Sequence, residues 1–153
     1  MDMYITEEVG MEEIVSRLDA QMPEGLRIIA AAEPVHLNKE IGFAEYSAEI
    51  TGADVGADLD SFLAQERITV MKHSKKKGNV EMDIKPYITI INVSELENGA
   101  EVQFRLPAGN ELNINAAVFL DAFVGFCAEK GVQIEIRCTK RTNILCGNSE
   151  KFA

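Results

Sequence analysis

The chain has 153 residues, 46% of them hydrophobic, and carries 15 Lys+Arg against 25 Asp+Glu for a net charge of -10. A chain of this length buries roughly two-thirds of its unfolded surface, enough for one compact domain or two small subdomains, and its apolar runs fall well short of the ~18 residues a membrane helix needs. No signal-peptide n-region precedes an apolar stretch, so the sequence predicts a soluble, cytoplasmic protein without a membrane partner.

The charge is segregated: residues 1–66 hold 3 basic and 15 acidic side chains, net -12, whereas residues 67–153 hold 12 and 10, net +2. Such an acidic chain repels nucleic acid over most of its surface, which confines any polyanion contact to local basic groups. Cys127, Cys138 and Cys146 are odd in number and contain no C-x-x-C pair. That pattern argues against a disulfide framework, a zinc knuckle and an iron–sulfur cysteine triplet, and predicts free thiols with neither metal nor cofactor.

In chain order, Met3 to Thr6 reads as an abrupt first strand. Met11, Ile14, Val15, Leu18 and Met22 follow at helical spacing and predict an amphipathic helix over 11–22, ended by Pro23 and Gly25. Leu26 to Glu33 reads as a buried strand, and Ala44 to Thr51 alternates Ala44/Tyr46/Ala48/Ile50 against Glu45/Ser47/Glu49 as a half-solvated strand. Asp58 is placed to cap a short helix through Glu66, and Arg67 to His73 is a further strand. The order β-α-β-β-α-β predicts an α+β fold with a ferredoxin-like subdomain over residues 1–73.

Residues 74–147 then predict a hairpin followed by a β-β-α-β segment packed with the first subdomain, and residues 148–153 a frayed tail. A turn centred on Lys76 places Val70 opposite Met82, Ile68 opposite Ile84 and Thr69 opposite Asp83. Tyr87 to Val93 and Ala100 to Leu106 read as a meander around Glu95 to Gly99. Asn113 or Asn115 caps an apolar helix that stops at Lys130-Gly131. Val132 to Cys138 closes the sheet with Ile134, Ile136 and Cys138 inward, and unbroken parity sets Arg141 and Asn143 beside Arg137.

Three groups are candidate sites. Lys75, Lys76 and Lys77, within a Lys72 to Gly78 basic turn, form either a phosphate clamp or a solubilised hairpin tip. Asp83 is either a catalytic carboxylate or an acceptor for Arg67 or Lys85; general acid–base work needs a partner group, and neither His36 nor His73 is linked to it in sequence. Arg137, Lys140 and Arg141 either bind a phosphate or carboxylate or neutralise the acidic half. The loop Thr51 to Gly56 lacks the Lys-Ser/Thr of a phosphate loop and reads as a turn.

Met22-Pro23-Glu24-Gly25-Leu26-Arg27-Ile28, Ala44-Glu45-Tyr46, Val80 to Ile88 and Lys140-Arg141-Thr142, in this order and spacing, resemble the bacterial radical SAM-linked protein family, a domain of unknown function. The "LPEGL" type segment, the "VDIRP" type strand after a basic turn and the late "RT" carry the likeness, which spans nearly the whole chain. Family members usually have an N-terminal region with "SHLD" and "GFNPHP" type segments. Neither occurs here, so the resemblance implies a C-terminal portion whose missing N-terminal region is itself a partner.

Members stand alone or fused behind a radical SAM enzyme, near genes for a ribonuclease G-type protein and ribosomal proteins, which implies work on RNA or the ribosome. The leading expectation is therefore a non-catalytic accessory module that contacts RNA or a partner radical SAM enzyme through Lys75, Lys76, Lys77, Arg137, Lys140 and Arg141. The alternative is part of an RNA-modifying enzyme that uses Asp83 in a basic cleft. A truncated domain also implies an exposed apolar patch, or a homodimer that hides one.

Overall fold

A computed structural model describes residues 5–33, 35–74 and 78–152, giving the backbone alone for 72–74 and 78–79. The described residues form a mixed α+β protein of three α-helices and six strands, in antiparallel sheets of four and two strands. Two compact units are distinguished, Met1–Leu37 and Asn38–Phe152.

The first unit contains α1, Met11–Asp19, in which Ile14 of the predicted apolar stripe is buried. The helix is three residues shorter than the periodicity implies. Gln21 and Met22 continue only as turns onto Leu18 and Asp19, and Gly25 takes a positive φ of 91°. The Asp19 carboxylate then accepts the backbone N–H of Ile28 at 2.9 Å. Leu26 to Glu33, expected as a buried strand, has no regular secondary structure, and Ile29 is 95% exposed. An apolar run alone does not make a strand without a neighbour to satisfy its backbone, so the order expected over residues 1–73 does not form there. Met3 and Tyr4 of the expected first strand lie outside the described residues.

The second unit is built on a sheet of order β4-β5-β1-β6, from β1 (Ile41–Thr51), β4 (Thr89–Leu96), β5 (Gly99–Pro107) and β6 (Glu135–Cys146). Between β1 and β4 the chain makes α2, Val55–Leu63, and then a separate hairpin of β2, Thr69–Ser74, and β3, Gly78–Asp83; α3, Ala116–Glu129, joins β5 to β6. The β-α-β-β-α-β sequence of elements is thus carried by β1, α2, β4, β5, α3 and β6, with the hairpin inserted. The cap of helix α2 lies four residues before the expected one: Asp54 is its N-cap residue, and Asp58 stands in the first turn, where an acid still favours the helix dipole.

Alternation in β1 and β5 separates the two faces of the sheet. Ala44, Ala48 and Ile50 with Ala100, Val102, Phe104 and Leu106 are buried on the face packed with α2 and α3. Phe62 of α2 meets Phe119, Phe123 and Phe126 of α3 at 6.1, 5.4 and 5.4 Å between ring centroids, and Phe104 meets Phe119 at 4.8 Å. These aromatic pairs interlock both helices with the sheet, each contributing about 0.5–1.5 kcal/mol beyond area burial. Of the two expected caps, Asn115 is the one used, accepting from Ala117 N at 3.0 Å, and Gly131 ends α3 at φ 77°, as the sequence predicts.

The hairpin register is the expected one, with Val70 opposite Met82 and Thr69 opposite Asp83. Gly99 closes the β4–β5 turn with φ 155°, where an added Cβ would lie 2.0 Å from the Ile50 carbonyl oxygen. Only glycine fits that approach.

Candidate functional site

Strand β6 is longer than expected, and its bulges decide where the basic residues stand. Ile136 pairs with Ile50 and Cys138 with Glu49, so Arg137 is the extra residue; Asn143 pairs with Glu45 and Arg141 with Tyr46, so Thr142 is a second. Each extra residue reverses the side-chain parity of the strand positions beyond it. Cys138 therefore shares the outer face with Glu49 rather than pointing inward. Lys140, opposite Ser47, also lies on the outer face, whereas Arg141, opposite Tyr46, and Thr139, opposite Ala48, come to the helix side. The expected row of Arg137, Arg141 and Asn143 does not form.

Arg141 and Thr139 line an open groove of about 680 Å³ between β6 and the start of α3. Its floor includes Ala44, Leu120, Ile136 and Ile144, and its rim carries Asn113, Asn115 and Asp121. The groove exists because the covering helix presents Ala116 and Ala117 toward a strand at the sheet edge. Among the described residues Arg141 makes no ion pair, and the Asn115 side-chain oxygen is held by Ala117 N. A second, apolar hollow of about 320 Å³ lies on the other side of the same helix start, lined by Val70, Met82 and Ile84 of the hairpin and by Asn113, Ile114, Asn115 and Val118.

The outer face of the sheet is acidic and internally paired. Glu45 accepts from Arg105 Nη2 at 2.7 Å and from Asn143 Nδ2 at 2.7 Å, and Ser47 donates to Glu101 at 2.5 Å. The Arg105 hydrogen bond, followed by that of Asn143, holds the Glu45 carboxyl below its ordinary value against an opposing effect of burial. The β1 and β5 positions on this face include Phe43, Glu45, Ser47, Glu49, Glu101, Gln103 and Arg105, so a single aromatic ring, Phe43, stands at one end of a mostly charged and polar surface.

Asp83 has a structural task. Its Oδ1 accepts the backbone N–H groups of Ile68 and Lys85, each at 3.0 Å, and Ile84 N donates to the Ile68 carbonyl at 2.8 Å. Lys85 Nζ donates to the carbonyl of Gln65. The lysine expected as a side-chain partner of Asp83 thus serves it through its backbone, and the whole arrangement latches the base of the hairpin. Lys75, Lys76 and Lys77 lie outside the described residues. No group of three or more His, Cys, Asp or Glu able to hold a metal occurs among the described residues, and no described helix is long and apolar enough to cross a membrane.

The thiols divide by burial. Cys127 and Cys146 are buried and Cys138 is partly exposed. Desolvation pushes both buried thiols up, aided by Asp58 at Cys127 and by Glu40 and Glu150 at Cys146.

Searches of curated proteins and of solved structures find no match. Residues 1–116 match the family described as an uncharacterized protein conserved in bacteria (DUF2344). The matched span takes in the hairpin, Asp83 and the β1 wall of the groove and ends at the first residue of α3, with β6 beyond it. Matching over most of its length, the chain belongs to this bacterial family.

Proposed function

We propose that the protein is a non-catalytic accessory module that seats a segment of a partner protein in the α3–β6 groove, the partner being the radical SAM enzyme implied by the family resemblance. The observation that supports this reading is the groove itself, which combines an apolar floor with a polar rim and holds Arg141 without a counter-ion among the described residues. An acidic or C-terminal carboxylate of the partner fits a guanidinium so placed, through two parallel N–H···O bonds.

Protein is favoured over RNA by the field around the site. The outer sheet face is acidic, and Arg137, Lys140 and Arg141 do not share a surface that a phosphate backbone would follow. An enzymatic role for Asp83 is disfavoured because its Oδ1 is occupied by two backbone donors.

Co-purification of the natural protein from its host, with Arg141→Glu and the triple variant Lys75→Ala, Lys76→Ala, Lys77→Ala alongside, tests the reading. The expected result is capture of the radical SAM enzyme by the parent and by the triple variant, and its loss with Arg141→Glu. Recovery of RNA that disappears with the lysine variant, with a log-affinity against log-salt slope of about 2 or more, would instead make the hairpin tip a nucleic-acid contact and overturn the groove assignment.

A further inference from the structure

The two walls of the α3–β6 groove carry opposite charges. Ala117, Leu120 and Asp121 fall at i, i+3 and i+4, which is one stripe of α3, and all three line the groove. Small and apolar residues suit a helix stripe that faces a sheet edge, and Asp121 is the exception. On the strand wall Ile136 and Ile144 of β6 flank Arg141, the exception of that side. Among the described residues neither the Asp121 nor the Arg141 side chain makes a hydrogen bond or an ion pair, so the two do not meet across the groove. On the outer face of the same sheet opposite charges do meet, Arg105 closing on Glu45 at 2.7 Å. A guanidinium and a carboxylate held apart over an apolar floor are satisfied together by a third body that carries both complementary charges.

We propose that the groove is the binding site of a zwitterion, an α-amino acid with an apolar side chain. Its α-carboxylate pairs with Arg141, its α-ammonium pairs with Asp121, and its side chain lies on the floor between Leu120, Ile136 and Ile144. The volume of about 680 Å³ falls within the range of small-molecule sites, about 300–1,000 Å³. Charge selects this occupant. A simple anion such as phosphate meets Arg141 but faces the Asp121 carboxylate, a simple amine does the reverse, and the interior of a peptide main chain carries neither charge. A free α-amino acid carries both on one carbon atom, beside the side chain that the floor takes. The inference rests on the same groove as the partner reading and adds Asp121, which a partner's carboxylate at Arg141 leaves unused.

Titration of the whole chain with L-leucine, followed by amide chemical shifts, tests this, with N-acetyl-L-leucine and L-leucinamide as probes that lack the ammonium and the carboxylate in turn. Leucine is expected to move the amides of Leu120, Asp121 and Arg141 saturably, and each capped probe to bind about tenfold more weakly, the loss of one charge-assisted contact. Arg141→Gln and Asp121→Asn, both at exposed positions, should each weaken leucine by about tenfold with unchanged far-ultraviolet circular dichroism, and Asp121→Asn should erase the difference between leucine and N-acetyl-leucine. No saturable shift in the groove through the millimolar range overturns the proposal, as does leucine bound no more tightly than both capped probes. N-acetyl-leucine bound as tightly as leucine, and lost with Arg141→Gln, would make the groove a carboxylate seat, which overturns the zwitterion and leaves the partner reading standing. Leucine bound as expected, with no capture of the radical SAM enzyme, would refute the partner reading alone.

Discussion

Removing the Asp83 carboxylate should loosen the base of the hairpin and lower stability by an amount that can be worked out in advance. Two backbone N–H groups, of Ile68 and Lys85, converge on one oxygen at 3.0 Å each, and Ile68 is buried at 3% exposure. Hydrogen bonds to a charged acceptor contribute about 1.5–3 kcal/mol each, and because the two share one partly exposed oxygen their sum belongs near the low end, about 2–3 kcal/mol. With a urea m-value of about 2 kcal/mol/M, Asp83→Ala should lower the unfolding midpoint by about 1–1.5 M. Asp83→Asn keeps a carbonyl oxygen able to accept from the same two donors and should lose less than half as much. Urea titration followed by circular dichroism makes the comparison directly. A midpoint for Asp83→Ala equal to the parent's would refute the latch, and an asparagine variant as damaged as the alanine one would show that charge rather than hydrogen-bond geometry is what the site needs.

The aromatic lock between the helices makes Phe123→Ala a severe change: the side chain is fully buried against Phe62, and the loss should be about 3–5 kcal/mol, read from the same denaturation curve. Glu45 has a folded pKa below its ordinary value, so the stability it contributes is present above the unfolded carboxylate range and is lost as pH falls through the folded pKa. Glu45→Gln should therefore flatten the acid limb of midpoint against pH, and an unchanged acid limb would contradict the assignment. Of the three cysteines, Cys138 alone is partly exposed, and the two buried thiols are held protonated by desolvation. Titration with a chromogenic disulfide at neutral pH should count one fast thiol in the native protein and three after unfolding; fast reaction of Cys127 would show that the helix layer opens readily.

Local patterns in the sequence were sufficient wherever one strand or helix answers to its own residues. The alternation of Ala44 to Thr51, the register of Val70 against Met82 across one turn, and the Lys130-Gly131 stop depend on residues close by in the chain and appear in the structure, as does a cap at one of the two expected positions, Asn115. Leu26 to Glu33 failed as a strand because strand formation depends on a pairing partner, which no property of the segment itself reports. The same holds for topology: β1 lies between β5 and β6, some fifty and ninety residues later in the chain, and that adjacency is a tertiary fact.

The candidate site was less legible than the fold, and β6 explains why. Setting Arg141 and Asn143 beside Arg137 assumes an unbroken two-residue period, and a bulge is an extra residue that leaves no compositional mark. With bulges at Arg137 and Thr142, residues close in sequence are sent to opposite faces, and Arg141 joins Tyr46, Asn115 and Asp121, none of which shares a motif with it. Three other basic groups are engaged within the fold: Arg105 holds Glu45, Lys85 holds the Gln65 carbonyl, and Lys130 lies 4.2 Å over the Phe126 ring. What sets Arg141 apart is its place: it faces an apolar-floored groove, whereas Lys140 beside it lies on the outer face of the sheet. The groove is therefore read through Arg141 alone, and a partner that meets it should present a single carboxylate rather than a run of phosphates.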